Sequence, residues 1–501
     1  MQKVPSGTRG RLVLTALTAV LIAAGSGNAS AQPTSWGPLA APNPFLGPMG
    51  TSTMHGDAGS SDATPLSGPG TGKLAVDPLP LAAACPTLLE GSDGLVLALC
   101  TSILGQTPTV HLIDTSALGT GSAGSSVGSS SVGSFSPAAS VAQLELAKGS
   151  LLGGVYAYLD NDNRLVAVDG NRMLVRVQHE QKPNGGWRLF VDQSVDLTSS
   201  IPDGDNVTGL APDWQGNVWF ATGAGRVGSV DGGGVARTLQ LPAGEEVQNS
   251  ISTSAFGTAV ATTHALYQLS AAQDGTPTID WRAPYDRGSA RKPGQLSWGT
   301  GSTPTYFGPN GDDYVTIVDN ADTQVHLLVY RAATGEMVCS QKVLSTAGPG
   351  SENSPIGIGN SVFVAGTYGY PYPTVPEGAG PAVPASAPFV GGMTRVDVDN
   401  AGTGCHTVWD NDARSSAVPH LSTADGNLYT VVRQGLPLSS DSTTPLDGFA
   451  FTVIDPNTGE VLASRDLPGT IVNDTLQMSA LINSSGDYLQ GTISGVIRVG
   501  G

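Results

Sequence analysis

Beyond residue 31 the chain alternates short apolar runs with turns built on glycine beside asparagine or aspartate. "WQGNVWFAT" turns at Gly216, "ADGNLYTVV" at Gly426 and "SSGDYLQGT" at Gly486. Looser copies turn at Gly94, Gly154, Gly257, Gly311 and Gly359. Such hairpins need positive φ, which glycine and asparagine reach at low steric cost. Each turn is followed by one or two more strand-like runs, such as "RVGSV" and then "RTLQL" after Gly216. No stretch beyond the start keeps a helical period over a useful length, so the predicted elements are strands.

The eight markers run from 94 to 486, seven intervals averaging 56 residues. A repeat of about 40–50 residues with four strands is the mark of a β-propeller, and loops can absorb the excess here. A single four-stranded blade cannot bury both faces, whereas a ring of blades can. The expected fold is therefore all-β, a β-propeller of eight blades, with seven as the alternative. A two-sheet sandwich would be unusually large for this length. The final unit has room for three strands, and "GKLAVDPL" could return from the N-terminal side as the fourth. The expected divisions are a signal peptide over 1–31, an extended arm rich in Pro, Gly and Ser over 32–79, and the propeller over 80–501. "GTGSAGSSVGSSSVGS" (119–134) reads as a flexible insertion and "YGYPYPTVPEGAGPAVPASAP" (368–388) as a Pro-rich loop.

The first 31 residues have a basic start (Lys3, Arg9, Arg11), an apolar run from Leu12 to Ala24, and small residues at Ala29–Ala31. That is the layout of a cleaved export signal, and the run is shorter than the roughly 20 residues of a membrane span. The mature chain is expected to be secreted or periplasmic, with no membrane anchor. The whole chain has 23 Lys and Arg against 41 Asp and Glu, a net charge of −18. Such an acidic surface repels phosphate backbones, so nucleic acid is not expected as a partner. Four cysteines suit an oxidising compartment. Cys85 and Cys100 flank a hairpin and are expected to face each other; Cys339 and Cys405 remain as the second pair.

If the glycine markers join the first and second strands of each blade, they share one face of the ring. The opposite face then receives "DNDNR" (160–164), "DGDN" (203–206), "DNADT" (319–323), "SEN" (351–353), "TYGYPYP" (367–373) and "WDNDAR" (409–414). Acids, amides and tyrosines gather on that rim. Asp319, Asn320 and Asp322 with Glu352 are the candidate metal ligands, since carboxylates and an amide oxygen suit a hard ion such as calcium. Asn353, Tyr368 and Tyr370 are the candidate ligand-binding residues. His55 and Asp57, in "MHGDAGSSD", are the candidate catalytic pair, because an irregular arm has no packing need for them. The ordinary alternative for each is structural: turn formation by Asp and Asn, a tyrosine cluster, a solvated histidine.

Two segments, "VYRAATGEMVCS" (329–340) and "VIDPNTGEVLAS" (453–464), place a Thr-Gly-Glu turn between strands. They resemble the D-x-x-T-G-x-x-x-W blade motif of the PQQ-like, quinoprotein-type propellers, in which the tryptophan docks each blade on its neighbour. Asp455, Thr458 and Gly459 match, while the segments run through Val338 and Leu462 without a tryptophan. The resemblance implies the fold. The family's quinone enzymes pair PQQ with a ring of adjacent cysteines, which this chain lacks, so PQQ is not expected. "NPFLGPMGTSTMHGDAGSSD" (43–62), with "DNAD", "SENS" and "YGY", is similar to a group of uncharacterised exported bacterial propeller proteins. That likeness implies that the arm belongs to the domain and lies over the rim. The expected function is an exported binding protein with an acidic rim site for a cation or small polar ligand. An enzyme at the same rim and a protein-interaction scaffold are the alternatives, and oligomeric state is left open.

Overall fold

The computed structural model describes residues 36–118, 139–149, 156–376, 378–435 and 443–501. The export segment, the insertion at 119–134 and the Gly154 turn lie outside the described residues. Among those described, the elements are strands and two short 3-10 turns, and no helix is long and apolar enough to cross a membrane.

The strands pair into eight sheets that follow one another along the chain. Blades one to seven span 83–145, 158–196, 207–240, 252–284, 305–342, 356–411 and 420–466. Blade eight takes its inner three strands from 480–500 and its outermost from Ala75–Pro80, antiparallel to Gly495–Gly500. The segment expected to close the ring does so. Eight apolar clusters fill the eight seams between consecutive blades; the last joins Leu481 and Leu489 of blade eight to Leu88 and Val96 of blade one. The ring is closed, and the count is eight rather than seven.

Burial along each blade explains the sequence pattern. Inner strands are buried because a neighbouring blade covers each face; Val218–Thr222 is buried at every position. Outermost strands are polar because one edge meets water, as in Val461–Asp466. Seven of the eight glycine markers fall between first and second strands, as expected. "DNDNR" falls there too, between Tyr158–Leu159 and Leu165–Val168. It therefore sits on the glycine-turn face, opposite to its expected position, where Asp160 is bonded to Arg164. The other five acidic segments lie on the far face, in connections between blades or between second and third strands.

The seams at the two Thr-Gly-Glu turns show how the blades dock. Gly335 and Gly459 have φ of 70° and 76°, and a Cβ on either would sit under 3 Å from an indole, Trp281 or Trp409. Each indole comes from the outer strand of the preceding blade and donates to a turn carbonyl, Ala332 at 2.8 Å and Pro456 at 2.9 Å. The docking tryptophans are thus present, one blade upstream of the turns that were quoted. In blade five the residue eight positions after Arg331 is Cys339, and its disulfide to Cys405 ties the outer strands of blades five and six. Cys85–Cys100 bridges neighbouring strands of blade one.

The arm does not lie over the rim. Trp36, Leu39 and Phe45 pack against the glycine turns at Gly359, Gly311 and Gly216. Residues 47–64 then rise into the channel and bond to the innermost strands around it. Backbone amides of Glu90, Leu159, Thr253, Tyr306, Gly357 and Leu421 donate to carbonyls of Thr51, Ser52, Ala58, Gly59, Ser61 and Asp62. Ala63–Thr64 adds a short parallel strand to blade seven. The physical reason is the row of unpaired backbone groups on each innermost strand, which need partners once water is excluded. Gly68 and Gly70 return to the glycine-turn face at Asp425 and Tyr429.

Candidate functional site

The channel is open on the face away from the glycine turns. The loops there enclose a cavity of about 470 Å3. Met54 and His55, at the top of the arm, form its floor. Its walls include Tyr156 before blade two, Asn249 before blade four, Glu352 and Asn353 before blade six, and Gln477 before blade eight. The Pro-rich loop adds Tyr372. That loop is strapped across the connection before blade five, with Val383 N donating to Arg291 O at 2.8 Å and Gly369 N to Pro293 O at 2.9 Å.

Glu352 is the most unusual group in the cavity. The residue is buried; neither carboxyl oxygen has a hydrogen bond of good geometry among the described residues, although the Leu296 amide and the Asn249 side chain stand close enough to act on it as donors. Burial pushes its pKa up to about 8, and the nearby Leu296 amide, Arg291 and Asn249 offset that only in part. Gly301 makes room for it, because a Cβ there would lie 2.4 Å from Glu352 Cα and 2.5 Å from Oε2. The loops before blades two and six are opposite each other in an eight-membered ring, so Tyr156 and Glu352 meet across the axis. Both Tyr156 and Tyr372 have phenols pushed up, by burial first and by Glu352 second.

His55 lines the floor, and its Nδ1 is 2.8 Å from Asp62 Oδ1 and 3.5 Å from Ser479 Oγ. Asp57 is not its partner. Its carboxylate accepts from the Ser61 amide and hydroxyl at 3.1 and 2.7 Å, within the arm, and burial raises its pKa to about 6. His420 is buried near His55, neither ring nitrogen bonded among the described residues, and burial lowers its pKa to about 4.

The proposed metal set is not assembled. Asp319 accepts from the His326 amide at 2.7 Å and pairs with its Nδ1 at 2.9 Å. Asn320 donates to the carbonyls of Arg287 and Ala290, and Asp322 accepts from Ser289 N and Oγ. Glu352 faces the cavity instead. No group of three or more His, Cys, Asp or Glu that could hold a metal occurs among the described residues. The positive charge in the Asp319 loop is Lys292, whose Nζ donates to Ala321 O at 2.5 Å and Pro349 O at 2.6 Å. Burial lowers that ammonium's pKa to about 8.

Of the candidate ligand-binding residues, Asn353 lines the cavity, donating to Gln477 Oε1 at 2.9 Å. Tyr368 is packed against Gly348 outside it. Tyr370 lies behind the wall, its hydroxyl donating to Asp474 Oδ1. Asp474 and Asp447 both pair with the buried Arg433, at 2.9 and 2.7 Å. Tyr156, Asn249, Tyr372 and Gln477 were not singled out from sequence. Tyr372 sits in the quoted tyrosine run, two residues past Tyr370; the others carry no local signal.

No known family model matches the chain. An uncharacterised protein from Archaeoglobus fulgidus is 28% identical over 194 residues, 36% of this chain and 35% of that protein, so the match spans about a third of the relative's length. Similar solved structures include a europium-containing methanol dehydrogenase (10% identity, TM-score 0.48, 89% of this chain and 98% of the other). BamB from Moraxella catarrhalis (12%, 0.37, 70% and 94%) and virginiamycin B lyase from Staphylococcus aureus (11%, 0.37, 69% and 93%) are others. These neighbours are propellers of the PQQ and BamB type. The scores lie below 0.5, and the eight-blade assignment rests on the sheet pairing of this chain itself.

Proposed function

We propose that the protein is an exported binding protein that holds one small molecule, polar at one end, in the cavity at the channel mouth. A single observation carries this reading: a buried carboxyl, neither of whose oxygens has a hydrogen bond of good geometry among the described residues, faces a cavity large enough for a ligand. A buried polar group left without a partner costs about 1–3 kcal/mol, and a ligand that completes it recovers that cost. The arm supports the same reading. It closes the channel from below, so the mouth is a pocket with a floor and not a through-passage. Two disulfides and the signal-like first 31 residues support export. The acidic surface favours ligands that are neutral or positive.

The test is ligand-observed NMR on the mature chain with small amphiphilic alcohols, amides and amines, repeated on Thr374→Trp. Thr374 lines the mouth and is exposed, so the indole fills the opening without disturbing a core. Compounds that bind the wild type and lose at least tenfold in the variant support the cavity. Absence of binders, or binding indifferent to the indole, sinks the reading.

A further inference from the structure

We infer that the ligand of the channel mouth is an organic monocation, an ammonium head with an apolar body, held by the Glu352 carboxylate. This rests on the binding reading above and goes further by assigning the head group.

The geometry of the wall selects the class. A carboxylate offers about four acceptor sites and no donor, more than the Leu296 amide and the Asn249 side chain can fill, and an ammonium offers donors only. Among the described residues Glu352 belongs to no group of three or more His, Cys, Asp or Glu that could hold a metal. One carboxylate balances one positive charge, whereas a divalent ion such as calcium takes six to eight oxygens. Nearby amides are partly spent: Asn353 donates to Gln477, and Asn249 Oδ1 receives the Tyr156 hydroxyl at 3.5 Å. Around the rest of the cavity, apolar side chains such as Ile103, Val418, Met478 and Ile493 alternate with uncharged polar ones such as Gln106 and Ser479. A polar end and an apolar end are therefore built into one site.

The charge balance works without a second ion. The charged and titratable groups near Glu352 are Arg291, Tyr156 and Tyr372, with Asp474 behind Tyr372 and His55 on the floor. Arg291 makes no ion pair with Glu352; its Nε and Nη1 donate to Gly380 O at 3.0 Å and Gln295 O at 2.7 Å. In the empty site the carboxyl holds its proton. When an ammonium enters, that proton leaves to solvent and the incoming charge replaces it, so the net charge of the site is unchanged. No covalent bond other than the O–H is broken.

The probes are n-butylammonium and 1-butanol, two molecules of nearly equal shape, on the full mature chain. Affinity is read by ligand-observed NMR from pH 6 to 9, and proton release by calorimetry in buffers of different ionisation heat. The expected result is butylammonium binding that strengthens by about tenfold per pH unit up to roughly pH 8, releasing about one proton per site near pH 7. Glu352→Gln abolishes both effects. The wild-type pH dependence stands by itself should that variant fold poorly. Butanol binding as tightly as butylammonium, or butylammonium binding with no proton released, overturns the cation assignment and leaves the pocket standing. Failure of both probes to bind overturns the two together.

Discussion

Trp281 of blade four donates its indole hydrogen to the carbonyl of Ala332 in blade five, 2.8 Å away, and its ring lies against Gly335. The contact crosses a seam, so it measures how one blade holds the next. Trp281→Ala should lower stability by about 2–4 kcal/mol, from lost packing and an unpaired carbonyl. Trp281→Phe should lose only about 1 kcal/mol, because the ring contact remains. Urea unfolding of both variants checks the pair; equal losses would mean that the hydrogen bond, not the packing, dominates.

The raised pKa of Glu352 makes stability depend on pH in a particular direction. Its folded value of about 8 lies above the ordinary glutamate value of 4.5. Between those two values the native state holds a proton that the unfolded chain has lost. Stability from this group is present below pH 4.5 and declines as pH rises towards 8, by at most about 1.4 kcal/mol per pH unit. Glu352→Gln cannot titrate and should show a shallower slope, overtaking the wild type near pH 8. Parallel slopes for the two proteins would show that the carboxyl is already ionised at neutral pH.

The two disulfides differ in accessibility. Cys85 and Cys100 are fully buried, whereas Cys339 and Cys405 are half-buried on outer strands. Mild phosphine treatment followed by alkylation and mass spectrometry should label Cys339 and Cys405 first. Closing 66 residues, against 15 for the other bridge, the staple between blades should contribute about 4 kcal/mol by chain entropy. Cys339→Ala with Cys405→Ala should lower the melting temperature by several degrees; an unchanged value would remove the staple from the stability account.

Lys292 is a buried cation between two carbonyls. Lys292→Met keeps the length but leaves Ala321 O and Pro349 O unpaired, at a cost of about 2–4 kcal/mol. Because burial lowers the ammonium's pKa to about 8, the native state has given up between pH 8 and 10.5 a proton that the unfolded chain still holds. Stability from this group is therefore lowest at pH 8 and below, where a charge is buried, and rises as pH goes from 8 towards the ordinary lysine value of 10.5. Denaturation of both proteins at pH 7 and pH 10 reads the difference, and a gap that narrows at pH 10 would contradict the assignment.

Removing the arm should expose the inner strands. A chain beginning at Gly72 keeps the closing strand but lacks the residues bonded to Glu90, Leu159, Thr253, Tyr306, Gly357 and Leu421. Hydrogen exchange followed by mass spectrometry should show faster exchange at peptides holding those amides, with outer strands little changed. Unaltered protection there would mean that the arm adds nothing to the inner edge.

The wheel was legible because its signals are local. Gly216, Gly426 and Gly486 each mark a turn that a nearby strand pair requires, and seven such marks fell on one face. "DNDNR" was misplaced because Asp and Asn form turns on either face, and Asp160 there serves Arg164. The pocket was half legible. Glu352 and Asn353 were in view as rim residues, and His55 as an arm residue. Their convergence was not, since Tyr156, Asn249 and Glu352 are about a hundred residues apart in sequence and meet only because the ring closes. Lys292 was also missed, although the chain has only six lysines. A lysine that becomes buried between two carbonyls looks the same in sequence as one that meets solvent.

Strand Ala75–Pro80 pairs with Gly495–Gly500, so the earliest part of the ring to be synthesised waits for the very last. Until residues 495–500 have left the ribosome, the seam between blades eight and one stays unsealed. A chain lacking them would have seven good blades and an unmade clasp.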